Sequence, residues 1–285
     1  MIPGTGLRTA GGVSEELEAL EVELLLEAIA RRYDFDFRQY AMASLKRRLW
    51  RRAEAEGLPT LTALQERVLH DRACMERLLL DLSINVTAMF RDPSFWLALR
   101  QRVVPTLRTY PFLRVWVAGC STGEEAYSLA IILEEAGLYD RTRIYATDLN
   151  SAVLASAEQG VLPLRSMRDY TENYGKAGGT EGLSKYYTAA YDGARLRPRL
   201  LRNIVFAQHN LVSDRSFNEF NVVICRNVLI YFGRELQGKV HTLFHQSLAT
   251  FGVLGLGQKE SLRFSPQSAH YQELDAAHKL YRRIS

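Results

Sequence analysis

Two textures of apolar spacing divide this chain. From Ser14 to about Phe90 the apolar residues recur at helical intervals, as in "EELEALEVELLLEAIARRY" (15–33) and "LTALQERVLHDRACMERLLLDL" (61–82). Ser14 and Thr60 stand where helix caps belong, and Gly57-Leu58-Pro59 breaks the pattern. No strand-like run interrupts the stretch, so residues 14–90 are expected to form an all-α domain behind a loose tail over 1–13. From Leu113 onward short β-branched and aromatic runs take over: "RVWVAG", "RIYATDLN", "NIVFAQHNL", "FNVVICRNVLIYF" and "GVLGLG". Several are apolar on both faces, the mark of a parallel sheet covered by helices. Helical stretches at Glu124–Ala136, Ser151–Gln159 and Gly233–Thr250 alternate with them. The expected fold class is α/β, a doubly wound and mostly parallel sheet over 113–285, preceded by a linker helix region over 91–112. "YYTAAYDGARLRPRL" contains Asp192-Gly193, a hairpin signal, which predicts a small antiparallel β insertion at about 162–202.

Composition narrows the class without naming a function. The chain has 285 residues, of which 47% are hydrophobic and 24% charged, as in ordinary globular proteins. No apolar run approaches the roughly 20 residues that span a bilayer, and "MIPGTGLRTAGG" has no signal-peptide pattern. Three cysteines, Cys74, Cys120 and Cys225, are widely spaced and odd in number, which fits a reduced compartment and no zinc site. A cytoplasmic, monomeric protein without membrane insertion is expected. His241 and His245 share a helix face with no third ligand in view, so packing or solvation is expected of them and no metal is.

The most informative turn is "AGCSTGEEAYSLAI", where a buried strand enters a helix through Gly119–Gly123. Glycines permit positive φ there, and the helix aims free N–H groups back at the turn. A dinucleotide fingerprint needs Gly-x-Gly-x-x-Gly, but Ser121 and Glu124 occupy its later glycine positions; no Gly-Lys-Ser/Thr follows either. Glu124 and Glu125 open the helix and would repel a pyrophosphate. They suit a cationic ligand, and S-adenosylmethionine carries a sulfonium and an ammonium with no phosphate. The next strand ends in Asp148, placed to accept hydrogen bonds from ribose hydroxyls. Alternatively the two glutamates serve the helix dipole and Asp148 caps the next helix.

Two further stretches, "SINVTAMFRDPSFW" (83–96) and "VVICRNVLIYF" (222–232), resemble signature segments of the CheR family of chemotaxis receptor glutamate methyltransferases. So do "AGCSTGEEAYSLAI", "ATDLN", "FAQHNL" and the closing "LYRR", in the family's order from about Leu45 to the C-terminus. The resemblance implies a helical domain joined to an S-adenosylmethionine-binding α/β domain with a small β insertion. Asn85, Thr87 and Arg91 match a linker motif that lies over the cofactor and faces the substrate. Glu125 and Asp148 match the acids for the methionyl amino end and the ribose, with Glu124 an open alternative to Glu125. Gly119 belongs to the cofactor turn, Asn210 and Leu211 match the pair beside the adenine, and Arg226 and Asn227 match residues at a strand end. Arg91 and Tyr231 are the catalytic candidates, Tyr231 standing near the transferred methyl. The plain alternatives are a surface ion pair for Arg91, a core aromatic for Tyr231 and a turn or helix cap for Asn227. The chain departs from the family pattern at Met89, where phenylalanine is usual, and at Gln258-Lys259, where a Ser-Glu pair follows "GLG".

The implied reaction forms glutamate methyl esters on chemoreceptor methylation helices and releases S-adenosylhomocysteine. A carboxylate is already ionised at neutral pH, since its reference pKa is about 4.3, and no general base is needed. Accordingly the motifs contain no Ser-His-Asp or Cys-His pairing. "YAMASLKRRLWRRAEAEG" (40–57) carries five basic residues, with Met42, Leu45 and Leu49 read as its apolar stripe. Arg47, Arg48 and Arg51 are read as one projecting face that docks a Glu-rich receptor helix, the alternative being a solvated face balanced by Glu54 and Glu56. Two other functions stay open: a regulatory module that binds S-adenosylmethionine or its product, or a methyltransferase of the same fold acting on another carboxylate or on nucleic acid. Nucleic acid is the less expected partner, because no aromatic-interleaved basic strand is present.

Overall fold

A computed structural model describes residues 15–33, 35–82, 87–190 and 193–285. Its contacts divide the chain into two compact units, Met1–Leu82 and Ser83–Ser285. The apolar pattern extends the helical domain to Phe90, but Met89 and Phe90 are buried in the core of the second unit. Ser14, Asn85 and Asp192, three residues that the sequence singled out, lie outside the described residues.

The first unit contains helices α1 (Glu15–Tyr33), α2 (Met42–Ala55), α3 (Leu61–His70) and α4 (Arg72–Leu82). Val22, Leu25, Leu26 and Ile29 of α1 face Leu64 and Val68 of α3 in its core, and Leu45, Leu49, Leu78 and Leu82 are equally buried. Thr60 caps α3 as expected, accepting a hydrogen bond from the Ala63 N–H at 3.0 Å. The α2–α3 break passes through Gly57 at φ +69°.

The basic helix requires a correction. Met42 is exposed, whereas Leu45, Arg48, Leu49 and Ala53 form the buried face of α2. Arg48 is therefore no docking residue: it is 7% exposed, and its Nη1 donates to the main-chain carbonyls of Asp81 and Leu82. These lie at the C-terminus of α4, where the last carbonyls of a helix lack intrahelical partners and a cation is favoured. Lys46 pairs with Glu18 at 2.9 Å, and Arg52 reaches Asp81 at 2.6 Å and Glu56 at 3.1 Å. Arg77 holds the same Glu56 at 2.7 Å, and together the arginines pull that carboxyl down to about 2, with Arg77 foremost. Arg47 and Arg51 remain exposed.

The second unit opens with α5 (Pro93–Ala98), a π-turn at Leu99–Val103 and α6 (Val104–Leu107). The wide turn precedes Pro105, which has no N–H to give to a regular ladder. Strands β1 (Leu113–Ala118) and β2 (Thr142–Asp148) follow, separated by α7 (Glu124–Glu135), and α8 (Ser151–Gln159) leads from β2 to the insertion. The insertion holds β3 (Val161–Leu162), α9 (Met167–Lys176), β4 (Tyr187–Ala190) and β5 (Gly193–Leu196), with β3, β5 and β4 forming an antiparallel sheet. After α10 (Pro198–Leu201) come β6 (Ile204–Gln208), β7 (Phe220–Cys225), α11 (Arg234–Ser247), β8 (Leu248–Leu256), β9 (Tyr271–Asp275) and β10 (Leu280–Arg283).

The main sheet runs β6-β2-β1-β7-β8-β10-β9, parallel from β6 through β8 and antiparallel at β10 and β9. This is the doubly wound, mostly parallel arrangement expected from the apolar runs. The last predicted helix is shorter than its pattern suggested. Leu248–Thr250 belong to β8, because Leu248 pairs with Phe220 of β7 and extends the sheet rather than α11. Parallel pairing brings the carboxyl ends of β6, β2, β1, β7 and β8 to one edge, where ligands of such sheets bind.

Candidate functional site

At that edge β1 passes into α7 through residues 119–123. The Gly119 and Cys120 N–H groups both donate to the Thr147 carbonyl of β2, at 2.8 and 2.9 Å. Gly119 and Gly123 have φ of +76° and +95°. A Cβ on Gly119 would stand 2.4 Å from the Val228 side chain, and one on Gly123 would stand 2.6 Å from the Tyr127 ring. Both positions thus exclude a side chain twice over, by conformation and by space.

Three carboxylates surround this turn. Asp148 ends β2 at 9% exposure and accepts the N–H groups of Ser121 (2.9 Å) and Asn150 (3.0 Å). Burial pushes its carboxyl up, against those N–H groups, which favour the anion. Glu124 accepts from the Thr122 hydroxyl at 2.6 Å, and burial raises its carboxyl also. Glu125 points elsewhere, into an ion pair with Arg226 at 2.7 Å. Burial is the largest influence on Glu125 and raises it, with the charges of Arg226 and then Arg91 opposing.

Arg226, just past the end of β7, ties the linker segment to α7. Its side chain is 1% exposed, and besides Glu125 it contacts Asp92 at 2.8 Å and the Arg91 carbonyl at 3.1 Å. The guanidinium carbon also lies 4.2 Å from the Phe95 ring centroid and 5.6 Å from that of Trp96. The resemblance groups Arg226 with the residues of the cofactor site; its guanidinium is engaged by two protein carboxylates and a carbonyl. Arg91 itself lies between two non-glycine residues of positive φ, Phe90 and Asp92, both at 52°. Ser128 receives the Phe90 N–H at 2.8 Å, and the Trp96 indole donates to the Arg91 carbonyl at 3.0 Å. The backbone on both sides of Arg91 is therefore strained and held.

Of the remaining candidates, those that follow β6 and β7 stand at the same edge. Thr87 is half-buried in the segment leading to Arg91. Asn210 follows β6, its side chain accepting the Val212 N–H at 2.9 Å, and Leu211 beside it is half-buried. β6 lies against β2, with Gln208 opposite Asp148. Asn227 adopts φ +61°, and Tyr231 ends the short 3-10 turn Leu229–Tyr231 that follows, half-buried.

One residue of consequence escaped the sequence reading. Glu260 is 4% exposed, and its carboxylate accepts four backbone N–H groups: Asn227 (3.1 Å), Val228 (2.8 Å), Leu229 (2.8 Å) and Gly257 (2.7 Å). It clamps the loop that carries Asn227 and Tyr231 to the loop after β8. A buried carboxylate needs such donors, but nothing in the local sequence names partners some thirty residues away. A glutamate directly after "GLGQK", at a strand end rather than on a helix, was the available signal.

These acceptors suit S-adenosylmethionine. Asp148 keeps acceptor capacity that suits a ribose diol, and Glu124 places a carboxylate in the cradle that suits a cation, while Glu125 is paired with Arg226. The cradle offers acids where a phosphate would need cations, and the Ser121 hydroxyl is buried without a protein partner.

The relatives agree with this chemistry. A family model described as "CheR methyltransferase, SAM binding domain" matches residues 85–278, and one described as "CheR methyltransferase, all-alpha domain" matches residues 20–83. A Pseudomonas putida protein named Cher3 is 49% identical over 270 residues, covering 95% of this chain and 99% of that protein. Chemotaxis protein methyltransferase 1 of Pseudomonas aeruginosa is 32% identical over 247 residues, with 82% and 86% covered. The chemotaxis protein methyltransferase of Listeria monocytogenes is 30% identical over 236 residues, with 82% and 87% covered. Among the described residues no helix is long and apolar enough to cross a membrane. On sequence and fold together, the chain belongs to the CheR family of S-adenosylmethionine-dependent methyltransferases.

Proposed function

We propose that the chain esterifies glutamate side chains on the cytoplasmic methylation helices of chemoreceptors. The observation that carries this reading is Arg91, locked between two strained residues and within electrostatic reach of Glu125, beside a cradle of carboxylates. S-adenosylmethionine supplies an electrophilic methyl on a sulfonium whose departure leaves a neutral thioether. The chain's own residues then have little acid–base work. Asp148 takes the ribose, Glu125 or Glu124 the amino group, and Thr87, Asn210, Leu211 and Asn227 line the cofactor. Arg91 orients the substrate carboxylate through one face of its fork and leaves the attacking oxygen free. Tyr231 hydrogen-bonds the same group or directs the methyl. Positioning of this kind is worth roughly 7–11 kcal/mol of a bimolecular barrier. Arg226 acts one step back, holding Arg91 and Glu125 in register.

Incubation with labelled S-adenosylmethionine and a receptor cytoplasmic fragment tests the reading. Base-labile label on the receptor is expected, and Arg91→Ala should depress transfer far more than cofactor affinity. Cofactor binding with no ester on any receptor fragment would make the chain a binding module instead.

A further inference from the structure

We infer that the loop after β8, residues 257–268, is a second contact surface for the acidic receptor helix, with Lys259, Arg263 and Phe264 as its reading residues. The inference rests on the function proposed above and adds where the substrate protein lies. Three observations support it. First, the loop is pinned from beneath: Glu260, Leu262 and Ser265 are 4%, 2% and 8% exposed, and Gln267 reaches Thr242 of α11 at 3.3 Å. Lys259, Ser261, Arg263 and Phe264 alternate with them and face outward. Phe264 is 86% exposed, and the Arg263 guanidinium carbon lies 5.8 Å from its ring centroid. Second, the exposed charges are of one sign. The loop's single acid, Glu260, is buried beneath backbone N–H groups, so only Lys259 and Arg263 present charge to solvent. Third, those N–H groups belong to Asn227, Val228 and Leu229, so the loop is held in fixed relation to the segment that carries Tyr231.

An exposed aromatic beside an arginine, on a loop that also presents a lysine, suits a glutamate-rich helix. Carboxylates at successive turns lie on one helix face, which offers a row of acids to a loop whose exposed charges are both positive. The Phe264 ring would cover alkyl stems beside the Arg263 contact, in the manner of aromatic and arginine anchors at interfaces. Lys259 stands at one of the positions where this chain departs from the family pattern, so the surface would tune receptor choice as well as docking.

The test uses the full chain and a glutamate-rich helical receptor fragment, with binding read by fluorescence anisotropy and transfer by base-labile label. A Lys259→Glu, Arg263→Glu, Phe264→Ala variant should bind the fragment about tenfold more weakly and show a raised receptor KM, with cofactor affinity unchanged. The wild-type advantage should shrink when the fragment's glutamates become glutamines. A control is built into the fold: Arg114 lies 5.8 Å over the exposed Phe112 ring, beside the amino end of β1 and so at the opposite edge of the sheet. Arg114→Glu, Phe112→Ala should leave fragment binding intact. Equal affinity in wild type and loop variant, equal loss in the control, or loss of cofactor affinity along with fragment affinity would each overturn the inference. If the wild type binds the acidic fragment through this loop yet forms no ester, the surface stands and the proposed reaction falls.

Discussion

Arg48 in the helical unit and Arg226 in the α/β unit are both buried, at 7% and 5% exposure, yet they are buried for different ends. Arg48 donates to neutral carbonyls at the end of α4, where any well-placed donor relieves orphan acceptors. Arg226 pairs with two carboxylates, Glu125 and Asp92, one from α7 and one from the Arg91 segment. A buried ion pair is weak evidence for stability, because desolvation can cancel its attraction. Removing one partner is costly, however, since it strands charge in the interior. The first arginine finishes a helix; the second makes two parts of an active site depend on one another.

That contrast predicts a graded series. Arg226→Met should have the largest effect, lowering unfolding free energy by about 3–5 kcal/mol in denaturant titration and abolishing transfer. Arg226→Lys should recover only part, as one ammonium cannot fork to two carboxylates. A loss no larger than that at Arg48 would dissolve the distinction. Asp148→Ala comes next, with S-adenosylmethionine affinity weakened by about 1.5–3 kcal/mol in calorimetry, the scale of a charged hydrogen bond.

Acidity probes the same cradle. Burial raises the carboxyls of Glu124, Glu125 and Asp148, and a cationic ligand needs them ionised. Cofactor affinity should therefore fall as pH drops, beginning above the ordinary carboxylate range. An affinity flat down to pH about 4 would place the ligand away from these acids. Arg48→Met should cost about 1–3 kcal/mol of stability and leave cofactor affinity unchanged. Smallest of all, Arg47→Glu and Arg51→Glu should each change receptor binding by under about 1 kcal/mol, in a salt-dependent way. Unaltered binding in the double variant at low salt would leave those side chains as a solvated face.

The reasons some of this was legible in the sequence, and some not, are physical. Strands buried on both faces leave continuous apolar runs, so β1, β2, β7 and β8 stand out, and the glycine turn betrays itself because no other residue fits. Arg48 misled because periodicity counts a charged residue as outward, whereas three methylenes let its head reach the α4 carbonyls from between Leu45 and Leu49. Arg226 was found as a motif residue, but its partners lie 101 and 134 positions away and no spacing rule reaches so far. Glu260 is silent in the sequence for the same reason, its partners being backbone N–H groups that carry no signature.

The positive φ angles at Phe90 and Asp92 bear on whether this chemistry can be transplanted. A short segment bearing Thr87–Asp92 would relax in another scaffold, since Phe90 does not favour that conformation by itself and Asp92 only tolerates it. Its shape is enforced by Ser128 on one helix and by Arg226 at the end of a strand. A designer wishing to graft the methyl-transfer motif would have to carry both supports along, so the smallest portable unit is the sheet edge and not the peptide.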